Sequence, residues 1–135
     1  MDAQQITLVQ HSFEQVVPIA DTAVALFYDR LFTLDPSVKA LFPSDLTQQG
    51  RKLMQALGFV VKGLTQSDTI LPTVQALGQR HKGYGVRAEH YTTVGAALFW
   101  TLEQGLGAAF TPEVKEAWAA AYTLLATVMQ DAAAG

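Results

Sequence analysis

Three imidazoles are available for chemistry in this sequence: His11, His81 and His90. His81 sits in the stretch LGQRHKGYGV, between Arg80 and Lys82 and just ahead of Gly83 and Gly85. Leu77 lies four residues before it, Val74 seven and Ile70 eleven. At 3.6 residues per turn all of them share one helix face. An imidazole on that face enters an apolar interior, with the cationic neighbours splayed to its rim. Spacing leaves two readings open: a hydrogen-bonded core histidine, the commoner fate of a lone inward imidazole, or a ligand to a buried metal. His11 falls off the stripe through Ile6 and Phe13 and reads as solvated. His90, beside Glu89 in a first helical turn, reads as a surface group. No His-x₃-His or Glu-x-x-His pair exists, so a zinc or di-iron site made by the protein alone has no support.

There is no cysteine. Disulfides, thiolate-held zinc or iron–sulfur clusters and thioether-attached tetrapyrroles are thereby excluded, and a cofactor must be held by histidine, carboxylate or packing. A net charge of −3 gives no basic footprint for nucleic acid. The N-terminus MDAQQITLVQ lacks a basic segment followed by an apolar core, so no secretory leader is expected. The longest apolar stretch, AWAAAYTLLATVM at 117–129, is too short to span a bilayer. A cytoplasmic protein is expected, with no membrane partner.

The elements that must position these groups are helical throughout. With 135 residues, half of them hydrophobic, the chain suits one domain spanning 1–135 with a single core. A first stripe runs through Ile6, Val9, Phe13 and Val17 behind an Asp2 cap. Pro18 marks a break, and Val24, Phe27, Tyr28 and Leu31 form a second stripe. LDPSVKALFP reads as a short helix opened by Asp35 and Pro36 and closed by Pro43. A fourth helix over 46–63 carries Leu53, Leu57, Val60 and Val61, with Leu64 in register just beyond. Asp68 is expected to cap a fifth, with Pro72 tolerated in or near its first turn. A sixth over 88–105 carries Tyr91, Val94, Leu98 and Leu102. TPEV at 111–114 opens the last, through Val114, Trp118, Ala121, Leu125 and Val128. The tail DAAAG is expected to fray. Gly58 and Gly95 sit inside helices, where each costs about 1 kcal/mol against alanine, so close helix crossings are expected there.

Five fragments then stand in order: LFYDRLF at 26–32, DPSVKALFP at 35–43, QQGRKLMQALG at 48–58, LPTVQALGQRHKGYGV at 71–86 and HYTTVGAAL at 90–98. In this order and spacing the chain resembles the single-domain bacterial haemoglobins related to the globin half of flavohaemoglobins, the Vitreoscilla-type group. The resemblance covers nearly the whole chain. It implies an all-α globin fold of the 3-over-3 type, six to seven helices around a buried, non-covalent haem b.

Carried across residue by residue, the resemblance makes His81 the proximal iron ligand and Phe42 the phenylalanine packed on the porphyrin. Tyr28 falls at the distal tyrosine, Gln49 at the distal glutamine and Leu53 at the aliphatic residue one turn on. Tyr91 matches a proximal-side tyrosine. Leu57, Leu77, Val86, Val94 and Leu98 are implied haem contacts, and Arg80 a propionate partner. The residues themselves leave alternatives. Tyr28 could be a core tyrosine bonded to a backbone carbonyl, Phe42 plain core, and a one-residue shift would exchange Gln49 for Gln48.

Since the fourth helix has no histidine, the iron is expected to be five-coordinate through His81. Phenol and amide donors from Tyr28 and Gln49 would then hold oxygen tightly. The implied function is reversible binding of oxygen, and of nitric oxide and carbon monoxide, for storage, scavenging or transport by a monomer or weak homodimer. Two alternatives stand beside it: nitric oxide dioxygenation, and a gas-sensing or haem-free interaction module. With the chain ending at 135, an enzyme of this kind would need an external reductase. The enzymatic members of the family carry a glutamate in the last helix where an ungapped alignment places Ala133, the nearest carboxylate being Asp131. Strong electron push from the proximal side is therefore not expected.

Overall fold

Several helix starts in this chain are built by side-chain acceptors that satisfy the free N–H groups of a first turn. Asp2 takes the Gln5 N–H at 2.7 Å while the Gln5 side chain returns to the Asp2 N–H at 3.2 Å, opening α1 (Ala3–Val16). A short 3-10 turn at Val17–Ile19 holds Pro18, and α2 (Ala20–Leu34) follows. Asp35 then accepts the Ser37 N–H at 3.1 Å and caps a 3-10 segment at Pro36–Leu41. The computed structural model describes residues 1–42 and 46–134, so the expected stop at Pro43 lies outside the described residues. Helices α3 (Leu46–Lys62), α4 (Ser67–Gly83), α5 (Ala88–Leu106) and α6 (Pro112–Ala134) complete the chain. Short 3-10 turns precede α4 and α6. Thr111 opens α6 by accepting the Val114 N–H at 3.3 Å. The described residues are all-α: six helices and no strand.

The packing is pairwise. α2 lies on α5, while α1 and α4 both lie on α6. Leu31, Val9 and Val38 are the most deeply buried large side chains, each contributing about 1.5–3 kcal/mol of transfer free energy. Trp118 crosses the centre from α6 and donates its indole N–H to Ser12 Oγ at 2.8 Å. A second cluster of Ile70, Val74 and Met129, with Leu77, Tyr91 and Leu125 against it, joins α4, α5 and α6.

Glycines set how near the helices come. A β-carbon on Gly78 would stand 2.6 Å from Met129 Cα and closer still to its carbonyl oxygen, so α4 and α6 meet backbone to backbone. Gly95 receives the Tyr122 ring, which would lie 2.8 Å from an added β-carbon. Gly50 takes the Val24 side chain, seating α3 on α2. At the other end of α3, Gln10 donates its amide N–H to the Val61 carbonyl at 3.0 Å.

Five expectations change. Gly58 is not a close crossing: its nearest neighbour is Phe13 at an ordinary 3.7 Å. Asp68 is not a cap, because α4 begins at Ser67 behind Gln66, which makes no side-chain cap. Pro72 is consequently the sixth residue of α4, inside the helix rather than in its first turn. His90 is buried rather than superficial, because its Nδ1 accepts the Arg87 N–H at 2.9 Å and closes the start of α5. The tail stays helical through Ala134, where Lys82 donates to the Ala133 carbonyl at 2.9 Å. No helix among the described residues is long and apolar enough to cross a membrane.

Candidate functional site

His81 stands in the last turn of α4, and its Nδ1 lies 2.8 Å from the Leu77 carbonyl oxygen. A carbonyl only accepts, so Nδ1 carries the proton and Nε2 is left with its lone pair free. Burial pushes the imidazole pKa below its ordinary 6.5, the Leu77 bond pulls it back up, and the Arg80 charge lowers it again. The net result is a neutral ring with one oriented donor nitrogen, the form a metal ligand needs. Among the described residues no three His, Cys, Asp or Glu side chains cluster as a metal site. A metal at His81 must therefore bring most of its own coordination.

The chain leaves the ligand helix by a sharp turn. The Tyr84 N–H closes on the carbonyls of Arg80 and His81, each at 3.1 Å, and the Val86 N–H reaches the His81 carbonyl at 3.0 Å. Gly85 makes the reversal at a φ of 91°, a conformation that a side chain would strain. Leu41 packs 3.7 Å from where a Gly85 β-carbon would be, so this turn leans on the segment that ends at Phe42. Val86 is half-buried and Arg80 exposed. The Tyr84 ring is 6.3 Å from the His81 ring and 66% exposed.

Phe42 meets the edge of Tyr28 at 5.5 Å, and Phe27 and Phe32 approach the same tyrosine at 5.2 and 5.9 Å. Tyr28 is 5% exposed, and no hydrogen bond to its hydroxyl forms among the described residues. The backbone carbonyl partner that would make it an ordinary core tyrosine is thus absent there. Burial pushes its pKa up to about 12, which keeps the phenol protonated and a donor at neutral pH. Gln49 is half-buried and Gln48 exposed, so α3 turns Gln49 inward. The Gly50–Val24 contact puts that turn of α3 against α2 one turn before Tyr28.

Leu53, Leu57 and Leu98 line one apolar cavity of about 30 Å³, with Phe27 and Trp118 among its other walls. Val94 packs half-buried on the main core. Leu77 and Tyr91 share the second cluster. The structure thus joins Tyr28 with Phe42, Leu53 with Leu57 and Leu98, and Leu77 with both His81 and Tyr91. It leaves Arg80 at the rim.

On the histidine side, the Tyr91 carbonyl accepts the Tyr122 hydroxyl at 2.6 Å. Burial raises the pKa of both phenols, and the neighbouring Tyr91 raises that of Tyr122 further. Position 133 presents no carboxylate, and its carbonyl is taken by Lys82. Tyr122 went unremarked in the sequence, although it lies one turn beyond Trp118. Met54 was also missed, and lines the same cavity as Leu53.

Many of these side chains are apolar yet only half covered by the protein: Phe42, Leu53, Leu57, Leu77, Val86 and Val94. With one imidazole nitrogen free of the Leu77 bond and a buried phenol ring beside Phe42, that side-chain set fits a flat apolar macrocycle carrying its own four metal ligands.

A family model described as Globin matches residues 25–129. Flavohemoproteins of Xylella fastidiosa (strain Temecula1) and Rhodopirellula baltica are each 30% identical to the chain, over 93% and 95% of it. The chain spans 32% of the length of each of those relatives. A solved structure of RmaNOD, an engineered carbene transferase from a candidate nitric oxide dioxygenase of Rhodothermus marinus, superposes with a TM-score of 0.89 at 25% identity. The match covers 99% of this chain and 94% of that one.

Proposed function

The chain belongs to the globin family, and from that premise we propose that His81 holds a non-covalent haem b at which oxygen binds reversibly, for storage, scavenging or transport. A haem iron supplies reversible coordination of diatomic gases and one-electron redox chemistry. The observation that carries the reading is the His81–Leu77 bond, which fixes the imidazole as a neutral Nε2 donor. On the other side, Tyr28 offers a buried phenol O–H that makes no hydrogen bond among the described residues, and Gln49 an amide from the half-buried face of α3. Both would be placed to donate a hydrogen bond to a polar gas ligand. Each such bond in a dry site is worth about 1.5–3 kcal/mol, or roughly ten- to a hundred-fold in affinity. Leu53 and Leu57 exclude water from that side. Phe42 and Val86 would pack on the macrocycle, and the exposed Arg80 would pair with its acidic groups.

The likeness to flavohemoproteins and to the Rhodothermus marinus protein supports a second reading of the same site. Nitric oxide and oxygen, with one electron from an external donor, would give nitrate. Against strong peroxide-type chemistry stands the carboxylate-free position 133.

Absorption spectra of the haem-loaded protein, oxidised, reduced and with carbon monoxide, test the reading. A Soret band that shifts with carbon monoxide and is lost in His81→Ala is the expected result. A band indifferent to that substitution sinks the assignment. Nitric oxide consumption with and without a reductase separates storage from catalysis.

A further inference from the structure

We infer that the exposed surface around Tyr84, at the end of the ligand helix, is the docking face for an acidic protein that delivers single electrons to the site. The inference rests on the haem reading above. From Thr69 to Ala88 the chain contains no carboxylate, although its net charge is −3. That stretch carries Arg80, Lys82 and Arg87, all exposed at or just beyond the end of α4. Lys82 reaches across to the end of α6 at Ala133. Of the acidic groups at this end, Glu89 stands 3.4 Å from Arg87 in a solvent-exposed pair, and Asp131 is exposed. The local balance is positive on a negative molecule, an asymmetry that orients an acidic partner before contact.

Among these cations stands Tyr84, the most exposed large hydrophobic side chain of the described residues at 66%. Its main chain is pinned in place. Its own N–H is bonded to the carbonyls of Arg80 and His81, and its ring lies 6.3 Å from the imidazole at an interplanar angle of 55°. Nothing in core packing calls for an aromatic here. A partner seated on Tyr84 has a single aromatic ring between itself and the iron-binding imidazole. Cations at a helix C-terminus also complement the helix dipole, but that explains neither the exposed tyrosine nor Arg87, which precedes α5. The occupant that fits is an acidic one-electron donor, whose electron returns a ferric iron to the ferrous form that binds oxygen.

The test uses the ferric haem-loaded protein and photoreduced flavodoxin, an acidic one-electron donor, in a stopped-flow spectrometer. The second-order rate constant is expected to fall about tenfold or more as ionic strength rises from about 0.01 M to about 0.15 M. Lys82→Glu combined with Arg87→Glu is expected to be about tenfold slower at low salt and to lose the salt dependence. Its reduction by uncharged reduced riboflavin should be unchanged, which shows the site intact. Tyr84→Ala should lower the limiting rate at saturating flavodoxin while keeping the salt slope. A flat salt dependence in the loaded protein, or wild-type rates in both variants, overturns the docking face and leaves the haem reading standing. A protein that takes up no haem overturns both.

Discussion

His81 is held by Leu77, one helical turn before it in α4: the imidazole N–H and the carbonyl lie 2.8 Å apart, and the outer nitrogen is left free. The same bond that orients the imidazole also bears on how this residue responds to acid.

The His81 pKa is lowered in the folded protein, so the unfolded chain binds the proton more readily. Stability from this group is full above pH 6.5 and is lost as pH falls through 6.5 toward the folded value. Urea unfolding followed from neutral to mildly acidic pH should show that loss, and His81→Gln should flatten it. An unchanged slope in the variant would place the acid sensitivity elsewhere.

Tyr28→Phe removes a hydroxyl that has no hydrogen bond among the described residues and leaves the ring cluster with Phe42 in place. The melting temperature should hold or rise, since no bond to the described residues is lost. Oxygen should leave roughly ten- to a hundred-fold faster, measured by displacement with carbon monoxide. An unchanged dissociation rate would end the donor role of this tyrosine.

Two glycine-to-alanine changes should go opposite ways. Gly78→Ala drives a methyl into the main chain of Met129, which cannot yield, and should cost about 2–3 kcal/mol. Gly58→Ala meets only Phe13 at contact distance and should stabilise α3 by about 0.5–1 kcal/mol. Chemical denaturation of the pair checks both signs.

Gly95 and Tyr122 should be coupled. Gly95→Ala crowds the ring, and Tyr122→Phe breaks the bond to the Tyr91 carbonyl at a cost of about 1 kcal/mol. In Tyr122→Ala the Gly95→Ala penalty should largely vanish, giving a double-mutant-cycle interaction of about 1 kcal/mol or more. Strict additivity would mean that the ring does not touch that position.

Local chemistry was the legible part of the sequence. Asp2, Asp35 and Thr111 each cap where their neighbours lead one to expect, because a cap is decided within four residues. The inward face of His81 followed from the spacing of Ile70, Val74 and Leu77, and the matching motifs singled out Tyr28 and Phe42, which the fold brings together with each other. Part of what escaped depends on residues distant in the chain, whereas His90 and Asp68 were missed within their own helix starts. Nothing near Gly78 announces that Met129 will press its backbone there. His90 looked solvated beside Glu89, and only the bond its ring makes to the start of α5 accounts for its burial. Lys82 and Ala133 meet 51 residues apart, so the helical tail could not be read from its own composition. For Gln49, the helix phase that separates it from Gln48, about 100°, decided what the letters alone left open.

Helix α3 is fastened near its two ends, by Gly50 against Val24 and by Val61 to Gln10, and these two positions are its only fully buried residues. Leu53 and Leu57 hang between those abutments. A beam clamped at its ends flexes most at mid-span, whereas α4 is welded to α6 backbone to backbone at Gly78. The two helices are therefore held in different ways: α4 carries the imidazole on a backbone-to-backbone contact, and α3 carries Leu53 and Leu57 between its two fastened ends.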